Sequence, residues 1–273
     1  MIDLHTHTTA SDGLDTPSSL VARAAAAGVS VLSVTDHDTT AGCAAAADAC
    51  TARGIAFVPG IEMTAVRNSE DVHVLGYFID PASAGLARFL AVQRQARIDR
   101  VRAMIGRLAA LGISLDGDAL VQPALDDPTR AVGRPAIARA LVAAGCVQDT
   151  DEAFAQFLGR GRPAFVPRAG APPEDVFARI HAAGGISSIA HPGLTGRDDW
   201  IAGFAAAGVD ALEAYHSDHD EQTTARYLEI AARYGLLVTG GSDYHGDQAH
   251  AQVPGSTSLP REAYERLLAA RRQ

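Results

Sequence analysis

Short runs of β-branched and aliphatic residues recur along the chain, and nearly every one stops at a histidine or a carboxylate. They include MIDLH at the start, VSVLSVTDH at 29–37, IAFVPGIEM at 55–63 and DVHVLGYFI at 71–79. Each has the length and composition of a buried strand. Ala-rich segments lie between several of them: PSSLVARAAAAG places Pro17 and Ser18 at a helix start and Gly28 at its end, the usual asymmetry of helix termini. The second half repeats the rhythm with PPEDVFARIHAAGG then ISSIAH, DDWIAGFAAAG then VDALEAYH, and EQTTARYLEIAARYG then LLVTGGSDYH. Strands alternating with helices predict an α/β fold, a parallel sheet or barrel with its chemistry at the C-terminal strand ends.

The middle of the chain breaks that rhythm. From Ser83 to Gly112 there is one long Arg-rich helical pattern, followed by shorter helical pieces and the loop GRGRPAFVPRAGAPP. This reads as a helical insertion over 99–165 covering one side of the barrel mouth, with the barrel built from 1–98 and 166–273. The run QRQARIDRVRAMIGR lacks interleaved aromatics for base stacking and reads as a solvated helix face. A net charge of −9 argues against a large nucleic-acid surface, since phosphates demand a basic face. No apolar run reaches the roughly 18–20 residues needed to span a bilayer, so the expectation is a cytoplasmic protein with no membrane partner. Cys43, Cys50 and Cys146 form no CxxC pair and are expected as buried, reduced thiols.

Residues two apart on a strand share a face, so His5 and His7, with Asp3, converge at the end of the first strand. Asp243 and His245 repeat the spacing in GSDYH. VTDHD adds His37, GIEMT adds Glu62, DVHVLGY adds His73 and SSIAHPG adds His191, each at or near a strand end. A lone histidine on an apolar strand is more often a hydrogen-bonded core residue than a ligand. Six of the ten histidines gathered with carboxylates at one barrel face are another matter. Mixed imidazole and carboxylate donors suit Mn²⁺, Zn²⁺ or Fe²⁺, and a carboxylate such as Glu62 can bridge two cations.

The series DLHTHT with Asp12 downstream, then TDHDT, GIEMT, HVLGYF, IAHPG and GSDYH, resembles the polymerase and histidinol phosphatase (PHP) family in order and spacing. The resemblance implies a distorted (β/α)7 barrel with up to three divalent ions at its mouth, Mn²⁺ favoured and Zn²⁺, Fe²⁺ or Mg²⁺ as alternatives. Carried over by position, His5, His7, Glu62 and Asp243 would hold the first ion. Glu62, His73 and His191 would hold the second, and Asp12, His37 and His245 the third. Several branches of the family have a histidine where this chain has Asp12.

Three such ions against three ligand carboxylates leave about +3 in the pocket, a site for phosphate. The implied chemistry is hydrolysis by a hydroxide held between the two ions that share Glu62. The third ion, with Asp12 and His37 beside it, would hold the phosphate. The segment AVGRPAIARALVAAG resembles the GRP-bearing motif of the stand-alone branch that acts on nucleotide or short-oligonucleotide phosphates, although Ala136 replaces a frequent histidine. There Arg134 and Pro135 either face the substrate phosphate or merely start a helix. His216 and His219 either contact substrate, protonate the leaving oxygen or lie in a solvated loop, with His191 as an alternative acid. His181 and His250 read as bystanders. The expected substrate is a small phosphorylated nucleotide, in particular a nucleoside 3′,5′-bisphosphate losing its 3′-phosphate. Rival readings are an exonuclease on short RNA or DNA and a non-catalytic metal-binding regulatory module.

Overall fold

In the computed structural model, which describes residues 1–127, 132–246 and 253–271, the seven apolar runs become seven strands of one sheet in sequence order. They are β1 (Ile2–Asp3), β2 (Val31–Val34), β3 (Ala56–Arg67), β4 (Glu70–Tyr77), β5 (Ile186–Ile189), β6 (Ala211–His216) and β7 (Leu237–Gly241). The sheet nearly closes on itself: the Leu4 amide donates to the Gly240 carbonyl (3.2 Å), and Thr6 forms a parallel bridge with Tyr244. Asp3, predicted to share the face of His5 and His7, serves this closure. Its carboxylate accepts from the Ser242 amide and hydroxyl (2.9 and 2.7 Å) and the Gly255 amide (2.7 Å).

The expectation of parallel strands fails at β4, which runs antiparallel to both β3 and β5. Only Asn68 and Ser69 separate β3 from β4, both in the left-handed region (φ 51° and 62°). A two-residue loop of that geometry makes a hairpin, and no crossover helix fits between its strands. The turn lay unnoticed in the sequence because Asn-Ser is a weaker hairpin signal than Asn-Gly.

The helices are α1 (Pro17–Ala26), α2 (Gly42–Thr51), α3 (Ala84–Ala110), α4 (Gly117–Asp126), α5 (Arg134–Ala143), α6 (Thr150–Ala153, continuing as a π-helical turn to Leu158), α7 (Pro173–Ala182), α8 (Pro192–Thr195), α9 (Asp198–Ala206), α10 (Glu221–Tyr234) and α11 (Arg261–Ala269). Their ends follow local chemistry. Thr16 caps α1 at the Ser19 amide (3.2 Å) with Pro17 next, and Asp220 caps α10 at the Thr223 amide (2.7 Å), with Gly235 left-handed at its end.

The outward side chains of β3 and β4, Ile61, Met63, Val72 and Val74, pack against α7, α9 and α10 through Phe177, Ile180, Phe204 and Tyr227. A second core lies among the helices from α3 to α6, where Ile98, Val101, Met104 and Leu108 of α3 meet Val121, Ile137, Leu141 and Leu158. Helix α3 belongs to both: Leu86 and Leu90 face the barrel core, and from Ile98 onward the same helix faces the second. Among the described residues, no helix is long and apolar enough to cross a membrane. Cys43 and Cys50 are buried free thiols as expected, but Cys146 is exposed, because it follows the glycine that ends α5. His250 lies outside the described residues.

Barrel closure leaves no room beside Gly241, where any Cβ would strike the His5 amide and its Cβ and lie 2.8 Å from an Asp3 carboxylate oxygen. Gly241→Ala is therefore expected to destabilise the protein by about 1–3 kcal/mol in thermal or urea unfolding. Gly106→Ala, on the open face of α3 with nothing within 4 Å, is the control and should be neutral or stabilising.

Candidate active site

Glu62 projects from the middle of β3 into the barrel mouth and is 1% exposed. Its Oε2 lies 3.3 Å from His5 Nε2, 3.2 Å from His7 Nε2 and 3.3 Å from His37 Nδ1. Its Oε1 lies 2.8 Å from His73 Nδ1 and 3.1 Å from His191 Nε2. Four strands or strand ends thus deliver imidazoles to one carboxylate. Asp243 continues the array, its Oδ1 standing 3.2 Å from His5 Nε2 and 3.1 Å from His7 Nε2. Asp12, from the loop after β1, approaches His245 (3.4 Å), His7 (3.7 Å) and His37 (3.8 Å). Buried Asp36 shapes that loop, accepting from the Thr8 amide and hydroxyl and the Ser11 hydroxyl, each at 2.7 Å.

The structure therefore brings all nine residues proposed as metal ligands to one mouth. Four compact donor groups form there among the described residues: His5, His7, Glu62 and Asp243; His7, Asp12, His37 and His245; His5, Glu213 and His216, two of which lie outside the predicted set; and His37, Glu62 and His73. His191 joins the last through Glu62.

Several donor atoms in these groups are buried yet have no hydrogen-bond partner: both His7 nitrogens, Nδ1 of His37, His73 and His191, Asp12 Oδ1 and Asp243 Oδ1. Buried polar atoms are ordinarily paired, and imidazoles and carboxylates buried together without full pairing suit divalent cations, which bind the imidazoles once they have lost a proton. The donor set fits a multinuclear site.

Charge within the cluster is strongly coupled. Burial opposes charge on His7, but Asp243 and Glu62 outweigh it and raise the imidazole to about 10. Burial pushes His37 down to about 3. Against the same burial, His37, His73 and His5 hold Glu62 well below the usual carboxylate range, and His37 and His245 do so for Asp12.

Beside Asp12, His37 and His73 a cavity opens, lined by Arg97, Arg100, Arg134 and Arg168, with Gly133, Pro135 and Phe154 at its wall. This corrects the solvated reading of the Arg-rich run at Arg97 and Arg100, while Arg102 and Arg107 are exposed. Arg97 and Arg100 side chains are only 11% and 10% exposed. Arg97 Nε donates to Asp38 Oδ2 (2.6 Å), and Arg134 Nη2 to Asp71 Oδ2 (3.3 Å). Arg100 Nε donates to the Val166 carbonyl (2.8 Å), while its Nη2 is buried without a partner. Burial depresses Arg168 to about 9 and Arg100 to about 10, a sign of cations crowded beside few anions.

Sequence reasoning missed Arg97, Arg100, Arg168, Asp38, Asp71 and Glu213. A signal existed for two of them: Gln93, Arg97, Arg100 and Met104 are spaced four, three and four apart, continuing the buried stripe of Leu86 and Leu90.

Neither His216 nor His219 lies in a solvated loop. His216 Nδ1 accepts from the Asp218 amide (3.1 Å), and its Nε2 faces Asp243 Oδ2 (3.3 Å). His219 Nδ1 donates to the Ala214 carbonyl (3.0 Å), and its Nε2 accepts from the Gly193 amide (3.2 Å). His181 is engaged away from the mouth, 2.6 Å from Asp210.

With this geometry in place, comparison with known proteins gives a consistent outcome. The profile of the PHP domain matches residues 3–124. The chain is 38% identical to a 3′,5′-nucleoside bisphosphate phosphatase of Chromobacterium violaceum, over 94% of this chain and 91% of that one. This chain belongs to the PHP family. It is also 34% identical to the 5′-3′ exoribonuclease Rnm of Salmonella typhimurium, over 89% of this chain and 84% of the relative. A solved structure from Bifidobacterium adolescentis, assigned as a metal-dependent phosphoesterase, superposes with a TM-score of 0.88 at 33% identity, covering 99% of this chain and 96% of that one. The chain is accordingly a hydrolase acting on phosphate esters.

Because His7 stays protonated up to about pH 10 without metal, an ion binding there must expel a proton. Raising the pH removes the competitor. Mn²⁺ affinity should climb between pH 6 and pH 9 by about tenfold per unit for each proton displaced, with acidification of a weakly buffered sample. Calorimetric titration at several pH values checks this, and a flat profile would contradict it.

Proposed function

We propose that this PHP protein is a divalent-metal-dependent phosphatase that removes one phosphate from a small nucleotide bearing two, most specifically the 3′-phosphate of a nucleoside 3′,5′-bisphosphate. The observation that carries the reading is the cavity lined by four guanidinium groups and Asp71, directly beside Asp12, His37 and His73, with buried Asp38 behind Arg97 and Arg168 as the one other carboxylate they meet. A substrate with one phosphate needs only the donor cluster. A second phosphate gives the surplus cations a partner, and a planar guanidinium can grip it by two parallel hydrogen bonds.

In this reading His5, His7, Glu62 and Asp243 hold one ion, Glu62, His73 and His191 a second, and Asp12, His37 and His245 a third, with Mn²⁺ the preferred metal. When bound, the ions supply an acidified water as attacking group and neutralise the phosphoryl oxygens. The protein does the rest. Glu62 keeps its two groups of imidazoles in fixed relation, and Arg134 orients the distal phosphate, with Pro135 setting the first turn of α5. Asp12 and His37 border the cavity, so the scissile phosphate meets them first. For the proton to the leaving oxygen the candidates are His216, whose Nε2 faces Asp243, and His191, whose Nε2 faces Glu62.

The exoribonuclease relative supports a second reading, cleavage of short oligonucleotides from one end. Incubation of the metal-loaded protein with adenosine 3′,5′-bisphosphate, and separately with a short labelled RNA, distinguishes them. Orthophosphate release that chelation abolishes is expected from the first, and mononucleotide release from the second would favour the nuclease. Arg134→Gln should raise KM for the bisphosphate roughly 10- to 100-fold, from the loss of a charge-assisted bond, and leave KM for a nucleoside 3′-monophosphate nearly unchanged. Equal effects on both substrates would count against a distal-phosphate role.

A further inference from the structure

Strand β6 contributes no residue to the ligand set above, yet its side chains touch three members of that set. Glu213, fully buried, places Oε1 2.9 Å from His5 Nδ1 and accepts from the His191 backbone amide at Oε2 (2.7 Å). Three residues along, His216 Nε2 meets Asp243 Oδ2 (3.3 Å). Residues three apart on a regular strand face opposite ways. Here the pairing with β7 shifts register between Glu213 and Tyr215, and such an irregularity turns a side chain to the other face. The bulge is what lets both Glu213 and His216 reach the cluster.

We propose that Glu213 is a positioning residue for the metal centre, fixing His5 and His191 with a single carboxylate. The inference rests on the metal-centre reading given above. An ionised carboxylate only accepts hydrogen bonds, so His5 must present Nδ1–H to it. That leaves the lone pair of His5 Nε2 aimed at the space shared with Glu62 Oε2 (3.3 Å) and Asp243 Oδ1 (3.2 Å). At His191 the backbone is left-handed (φ 26°, ψ 60°), a conformation that a histidine holds only when its surroundings impose it. The second Glu213 oxygen imposes it by taking the amide N–H, and the His191 ring then reaches Glu62 Oε1 (3.1 Å). One side chain thereby sets the tautomer of an imidazole on one side of Glu62 and the backbone of an imidazole on the other.

Glu213→Gln keeps the size of the side chain but puts a donor where one acceptor stood. In the full-length protein it should weaken Mn²⁺ binding about 10- to 100-fold at the ions that His5 and His191 would hold. One tighter ion, assigned to Asp12, His37 and His245, should remain when bound metal is counted by elemental analysis. At saturating Mn²⁺ the variant should regain turnover in part, with KM unchanged and kcat reduced. Wild-type stoichiometry and affinity in Glu213→Gln would overturn the proposal. A wild-type protein that retained no divalent ion would overturn the metal-centre reading itself and this inference with it. A second measurement needs no variant: ¹⁵N–¹H spectra of the zinc-loaded wild type should show His5 protonated at Nδ1 and metal-bound at Nε2, and the reverse assignment would sink the idea.

Discussion

A buried carboxylate that faces five imidazoles is the arrangement on which the rest of this structure depends. Glu62 sits on the longest strand, where water cannot repay the cost of its charge. The surrounding groups must do so, and they arrive from the segment after β1, from β4, from the loop after β2 and from the turn after β5. Backbone hydrogen bonds tie several of those elements together as well. The Asp38 amide donates to the Glu62 carbonyl (2.8 Å), and the Ala190 amide to the His73 carbonyl (3.0 Å), so ligand geometry and strand pairing are set together.

The mouth has a floor and a roof with different origins. The barrel supplies the imidazoles and carboxylates, while α3 and the segments after it supply most of the guanidinium groups. Helix α3 joins the two because it packs on both hydrophobic cores, and its buried stripe carries Arg97 and Arg100 between them. Arg97 also reaches down to Asp38, the residue after His37, and to the Thr64 hydroxyl (3.0 Å), two residues beyond Glu62. The cationic wall is thus braced against the same strand that holds the central carboxylate.

Much of this was legible in the sequence for a physical reason. Strand ends that terminate in His, Asp or Glu have few uses other than a shared polar site, so His5, His7 and His191 announced themselves, whereas Glu62 and His73, expected near strand ends, lie inside β3 and β4. The helix starts at Pro17 and Ser83 were equally plain, because caps are local chemistry. What escaped depended on contacts between distant residues. Arg97 and Arg100 looked solvated because a cation in a helical stripe is ordinarily a surface residue, and only the cavity they line reverses that. Glu213 carries no local signal in VDALEAYH, since its partners lie 208 and 22 residues away. His216 and His219 looked like loop residues for the same reason.

The hairpin between β3 and β4 makes surface length a matter of catalytic competence. Asn68 and Ser69 are exposed, at the kind of position where natural chains ordinarily absorb insertions and deletions. Yet their two-residue turn fixes the register that sets His73 opposite Thr64 and therefore on the same face as Glu62. Side chains alternate along a strand, so adding or removing one residue there would send the imidazole of His73 to the outer face and bring Val72 or Val74 inward. For this barrel, a loop open to solvent is tied in its length to the site below it.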